Sequence, residues 1–130
     1  MLDRFDIHVE VPAVKFDELR STETSECSAD IQKRVNEARA VQQERYKGTQ
    51  TTCNAKIDAG QFEKYCIIDK DAEQTLKNSF ESLKMTARAY DRVLKVARTI
   101  ADLEKSEVIR TDHVLEAVQY RSLDRKYWNR

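Results

Sequence analysis

Arg88, Arg92 and Lys95 recur at four- and three-residue spacing inside the segment TARAYDRVLKVARTIADLE, residues 86–104, so on an α-helix they form one cationic face. Tyr90, Val93, Leu94, Ala97, Ile100 and Ala101 fall on the other side as an apolar stripe. Thr86 is suited to cap the first free N–H groups, which puts Arg88 in the opening turn. There the helix dipole disfavours a positive charge by a few tenths of a kcal/mol, roughly. An anion at that end reverses the balance, because helix N-termini attract phosphate and an adjacent guanidinium adds a bidentate donor. The same stripe also serves as a solvated basic face paired with Asp91 and its neighbours, at little energetic weight.

Other chemistry is sparse. No nucleophile stands beside a base and no carboxylate pair has a recognisable spacing. Neither Gly48 nor Gly60 is followed by Lys and Ser or Thr, so the chain holds no phosphate-binding P-loop. Cys27, Cys53 and Cys66 never form a C-x-x-C pair, and they read as ordinary thiols. His8 and His113 are far apart, so no metal site is expected. At the C-terminus Arg125 and Lys126 adjoin Tyr127 and Trp128, a combination able to neutralise phosphates and stack bases, or simply to end a helix in solvent.

The elements that position these residues follow from composition. With 130 residues, two Gly and one Pro, the chain fits one mainly helical domain with arms. Equal numbers of acids and bases, 23 each, remove any global drive toward nucleic acid. The lack of a long apolar run or leader-like start makes a cytoplasmic protein with no membrane contact the expectation.

Phe5, Ile7, Val9 and Val11 alternate with polar residues up to Pro12, which predicts a β-strand with no partner in the chain. Ser21–Ser28 is polar and aperiodic and reads as a linker. Ser28 is expected to cap a helix with Ile31, Val35, Ala38, Gln42 and Tyr46 on one face, stopped near Gly48. Asp58 and Gln61 have the form of a capping box before a short helix through Phe62 and Tyr65. Asp69 caps the next, with Ala72, Leu76, Phe80 and Leu83 as its stripe, and Thr111 opens the last, with Val114, Ala117 and Val118 inward. Five such helices close around one core.

Two segments, MLDRFDIHVEVP and TARAYDRVLKVARTIADLE with the following HVLEAVQYRSLDR, resemble the C-terminal part of magnesium-chelatase-like AAA+ ATPases, in particular the bacterial competence-associated branch. The helix from Ser28, the Asn54–Ala55 pair and the step from Cys66 to Asp69 are similar too, so the likeness spans nearly the whole chain. The resemblance implies that residues 1–12 are the last strand of an ATPase core whose remainder lies upstream, 13–27 a linker, 28–125 a helical lid and 126–130 a tail. It implies that Arg4 is an arginine finger acting on a neighbouring subunit's nucleotide and that Arg88 is the sensor 2 arginine at the γ-phosphate. ATP and magnesium would serve the full-length protein, and none is expected for the fragment. The implied partners are the upstream core, the other subunits of a ring and DNA, with the fragment alone a monomer. Lys105 departs from the pattern, standing where the family has Gly. The alternative reading is a freestanding helical protein- or DNA-interaction module using Arg125, Lys126 and Trp128.

Overall fold

A computed structural model describes residues 6–9, 11, 13, 15, 16 and 25–121. Five helices with described bounds are present: α1 (Ser28–Arg45), α2 (Phe62–Tyr65), α3 (Lys70–Ser82), α4 (Ala87–Leu103) and α5 (Thr111–Gln119). The mainly helical architecture expected from composition is therefore what forms. Short 3-10 turns at Asn54–Lys56 and Ala59–Gln61 lead into α2.

Helix α4 is the central element. Val93, Ala97 and Ala101 are fully enclosed, and Ala89, Leu94, Val96 and Ile100 are buried beside them. Against it pack Ala72 and Leu76 of α3, Val114 and Ala117 of α5, and Tyr46, Ile57, Tyr65, Cys66 and Ile109 from the connections. A buried leucine or valine contributes about 1.5–3 kcal/mol relative to exposure, so this single cluster supplies the main driving force. Tyr46 and Tyr65 meet edge to face at 4.9 Å, the favoured quadrupole geometry.

The caps read from the sequence form at α3 and α4. Asp69 accepts from the Ala72 N–H at 2.7 Å and Thr86 Oγ1 from the Ala89 N–H at 3.0 Å. At the 3-10 turn before α2, Gln61 Oε1 accepts from the Asp58 N–H at 3.1 Å, one half of the expected capping box. Ser28 is instead the first residue of α1, with Cys27 in the capping position and no side-chain cap bond. At α5 the capping position is Arg110, and His113 Nδ1 accepts the Arg110 N–H at 2.9 Å, taking the part that Glu plays in a capping box.

The stripe of α1 is only half used. Ala38 and Gln42 are buried, with Tyr46 just beyond, whereas residues 28–36 are all exposed, Ile31 and Val35 included. The first two turns extend past the end of the core. In the connection between α4 and α5, Ile109 is wholly buried and forms an isolated parallel bridge to Ile68. Its N–H donates to the Ile67 carbonyl at 2.8 Å and its carbonyl accepts from Asp69 at 3.1 Å.

Part of the anticipated strand over residues 5–11 lies outside the described residues. Those described form no ladder, and their phase is opposite to the one expected: His8 is buried while Ile7, Val9 and Val11 are 50%, 64% and 82% exposed. The even-numbered side is held toward the helices, the His8 N–H donating to the Tyr120 carbonyl at 2.6 Å and Asp6 pairing with Arg92.

Candidate functional site

Arg88 lies in the first turn of α4, exposed to solvent, with no acid in that turn. The Thr86 cap fixes where the helix starts and hence where Arg88 emerges. One turn further in, Arg92 pairs with Asp6, and Lys95 donates to the Ala55 carbonyl at 3.2 Å. The cationic stripe is thus divided. Its inner members fasten the N-terminal segment and the 3-10 turn to α4, and its outermost member stands at the positive end of the helix dipole. That end suits a phosphate, since the first N–H groups of a helix and a guanidinium in its opening turn both favour an anion.

Near the opposite end of α4 lies a buried polar centre that keeps the helix in place. Asp102, wholly buried, accepts from Arg45 Nη1 at 2.8 Å and Nη2 at 2.6 Å, and from Asn54 Nδ2 at 2.8 Å. Asn54 Oδ1 in turn accepts from the Tyr46 hydroxyl at 2.6 Å, and the Asn54 N–H donates to Gln42 at 3.0 Å. Arg98 completes the centre, 3.2 Å from Asp102, while donating to the Ser106 and Glu107 carbonyls at 2.6 and 2.9 Å. One carboxylate therefore joins α1, the 3-10 turn, α4 and the loop after it.

The charges respond as burial and pairing dictate. The Asp102 hydrogen bond raises the Arg45 pKa above its ordinary value, whereas burial lowers that of Arg98 against the pull of the same carboxylate. Burial pushes the Tyr46 hydroxyl up to about 12 and the Cys66 thiol up to about 11. Cys66 is consequently a packed, protonated side chain with no nucleophilic character at neutral pH.

Among the described residues, Glu104, Asp112 and His113 place one donor atom each within 4.8 Å of one another, a grouping that spacing along the chain does not reveal. Its chemistry is that of a cap. Because His113 Nδ1 accepts a backbone N–H, the ring proton sits on Nε2, which donates to Glu104 at 2.6 Å. A ring nitrogen carrying a proton offers no lone pair to a cation, so the set fits a hydrogen-bonded joint between the end of α4 and the start of α5.

Arg4, Arg125, Lys126 and Trp128 lie outside the described residues, so Arg88 alone of the anticipated contacts can be placed. Arg92 and Arg98 have structural partners, Asp6 in the N-terminal segment and Asp102 one turn along α4.

The fold and the site together define a helical domain wound around a central helix and locked by a buried Arg–Asp–Asn centre. Residues 25–121 match the family described as magnesium chelatase, subunit ChlI C-terminal, and the chain belongs to that family. It is 38% identical over 125 residues to the uncharacterized protein YifB of Salmonella typhimurium and, to the same extent, to YifB of Escherichia coli K12. It is also 38% identical over 126 residues to competence protein ComM of Haemophilus influenzae. Each likeness covers 95% of this chain but only 24% of the relative, so the chain spans about a quarter of those proteins. No helix among the described residues is long and apolar enough to cross a membrane.

Proposed function

We propose that this chain is the lid portion of a magnesium-chelatase-like AAA+ ATPase, with Arg88 contacting the γ-phosphate of a nucleotide held chiefly by a core outside these residues. The observation that carries this reading is the position of Arg88 itself: exposed, in the first turn of α4 behind a formed Thr86 cap, with no acid in that turn. Membership of the ChlI C-terminal family supports it, and so does the quarter-length coverage of relatives large enough to contain a core.

The chemistry assigned to Arg88 is electrostatic. Its guanidinium and the first N–H groups of α4 neutralise developing charge on the terminal phosphate, and loss of that phosphate releases the helix. The Asp102 centre then transmits the change in α4 to α1 and to the loop before α5 as one body. Arg4 acts in trans, on a neighbouring subunit of a ring. ATP with magnesium is the cofactor this reading requires, the likeness to competence protein ComM supports a competence-associated role, and a DNA-related remodelling task in the cytoplasm belongs to the proposal.

The test is ATP turnover of the longer protein encoded when the reading frame is extended upstream, against Arg88→Ala, Arg88→Lys and Arg4→Ala. Each alanine change is expected to lower turnover at least about tenfold without altering the fold, and the lysine change to restore it only in part. Turnover indifferent to Arg88, or an upstream region without a phosphate-binding loop, would overturn the reading.

A further inference from the structure

Between α2, α3 and the first half of α4 runs an open apolar groove. Ile67 stands 53% exposed on one side, and Phe80 and Tyr90 meet edge to face at 5.8 Å on the other. Glu63, Glu73 and Asp91 rim it against a single cation, Lys77, so the rim carries a net charge of two negatives. The Tyr90 hydroxyl reports that field: burial raises its pKa, and the Glu73 and Asp91 carboxylates raise it further.

The chain contains one segment of matching chemistry. Residues 122–130, SLDRKYWNR, hold Arg125, Lys126 and Arg130 against one acid, Asp124, together with Leu123, Tyr127 and Trp128. Two net positives and two adjacent aromatics complement two net negatives and an aromatic wall. Tyr and Arg are also the residue types that most often anchor interfaces.

The two faces of α4 bear on which copy supplies the segment. Ala87, Tyr90, Asp91 and Leu94 face the groove, whereas Val96, Thr99, Ile100 and Leu103, roughly half a turn around α4 at about 100° per residue, line a different depression together with Tyr120. Tyr120, two residues before this segment, lies on that second side. We propose that the acidic-rimmed groove receives residues 122–130 of a second copy of this chain, a head-to-tail contact with Tyr127 and Trp128 against Phe80 and Tyr90 and the basic residues at Glu73 and Asp91. Such a contact is heterologous, so it propagates from copy to copy, around a ring where the rotation closes, rather than forming a two-fold pair. It does not depend on the nucleotide role of Arg88. One short peptide in an open groove gives a dissociation constant on the order of 10⁻⁴ M, so the separate chain is monomeric at micromolar concentration. Copies already held side by side would be engaged through effective concentration.

The probe is a synthetic peptide of residues 122–130, titrated into the isotope-labelled full chain carrying Tyr127→Ala and Trp128→Ala, with amide shifts as the readout. The expected result is saturable shifts at Ile67, Phe80, Tyr90 and Asp91, about fivefold weaker binding in a Glu73→Lys background and weakening with salt. The unaltered chain should self-associate in sedimentation at several hundred micromolar, and the Tyr127/Trp128 variant should not. Shifts confined to the Tyr120 side, or none at millimolar peptide, overturn the proposal. It is also overturned if the unaltered chain stays monomeric with its groove closed to peptide, which assigns the tail to its own chain. Capture of the peptide by a single-stranded oligonucleotide, with the groove unresponsive, assigns it to nucleic acid.

Discussion

Asp102 accepts both terminal nitrogens of Arg45, a residue 57 positions earlier, at 2.6 and 2.8 Å, and is fully buried while doing so. The paired geometry joins the last turn of α1 to the last turn of α4, and Asn54 and Arg98 occupy the remaining lone pairs. Two guanidinium groups are thereby kept inside the protein by one carboxylate.

Removing that carboxylate should therefore be strongly destabilising. Asp102→Ala leaves Arg45 and Arg98 without their common counter-charge, and a loss of about 3–5 kcal/mol is expected in urea unfolding. Replacing the three together, as Arg45→Met, Arg98→Met and Asp102→Leu, should recover much of it, because burial then costs no desolvation of charge. A loss under about 1 kcal/mol for Asp102→Ala would show that the centre is solvated.

Alkali should unfold the domain from the same region. Tyr46 and Cys66 are neutral when protonated, and burial raises their folded-state values to about 12 and about 11 from 10.0 and 9.0. Groups raised on folding stabilise fully below their unfolded values and lose that contribution as pH climbs through the folded ones. Stability should hold near pH 8 and then decline between pH 9 and 12, by up to about 1.4 kcal/mol per pH unit for each group. Urea midpoints at pH 8, 10 and 11 check this. Tyr46→Phe should flatten the upper part of the curve, and equal midpoints at pH 8 and pH 11 would contradict it.

How far the fold could be read beforehand depended on the range of the interaction. The starts of α3 and α4 were legible because Asp69 and Thr86 bond N–H groups three residues away. The stripe of α4 was legible because 3.6-residue periodicity is local. The Arg98–Asp102 pair is one helical turn apart, so it could be anticipated, whereas Arg45–Asp102, Arg92–Asp6 and the role of Asn54 arise only from tertiary proximity. Ile31 and Val35 have core-like spacing yet stay exposed, since periodicity says which face a residue shares and not how far the core extends. Of the candidate site, Arg88 was legible from the Thr86 cap. The Glu104–Asp112–His113 grouping was not, as it needs the turn between α4 and α5 to bring its donors together.

The Thr86 cap links stability to the proposed site, and it can be probed apart from the core. Thr86→Ala should cost about 1 kcal/mol, comparable with Asp69→Ala, while Thr86→Ser should be nearly neutral. In the longer ATPase, Thr86→Ala should also weaken nucleotide affinity through the frayed first turn, an effect that Asp69→Ala should not share. Equal effects of the two substitutions on affinity would separate Arg88 from the cap.

The three thiols should differ in reactivity according to their enclosure. Cys27 is exposed, Cys53 partly so and Cys66 buried with a raised pKa. With a thiol reagent at pH 8, Cys27 should be modified first and Cys66 only at the rate of unfolding, so that urea near the midpoint abolishes the difference. Rapid labelling of Cys66 in the native chain would show the core opening beside Tyr65.

Lys105 offers a change that should stabilise. It occupies the left-handed region at φ 61° just past the end of α4. Its N–H bonds the Asp102 carbonyl at 3.0 Å, and the Ser106 N–H bonds the Ala101 carbonyl at 2.8 Å, the paired bonds of a Schellman ending. That position favours Gly, and a side chain there costs about 1–2 kcal/mol, so Lys105 keeps the loop but strains it. Lys105→Gly relieves the strain and loses part of the gain to unfolded-chain entropy, leaving a net stabilisation of about 0.5–1 kcal/mol in urea unfolding. Lys84, at φ 50° after α3 with the Met85 N–H bonded to the Phe80 carbonyl at 3.1 Å, should respond likewise to Lys84→Gly. The two gains should add, because the sites end different helices and share no partner. Gly48, at φ 83°, should behave in the opposite sense, with Gly48→Ala destabilising by about 1 kcal/mol. Stabilisation by Gly48→Ala, or a loss from both lysine changes, would mean that backbone strain does not govern these helix ends.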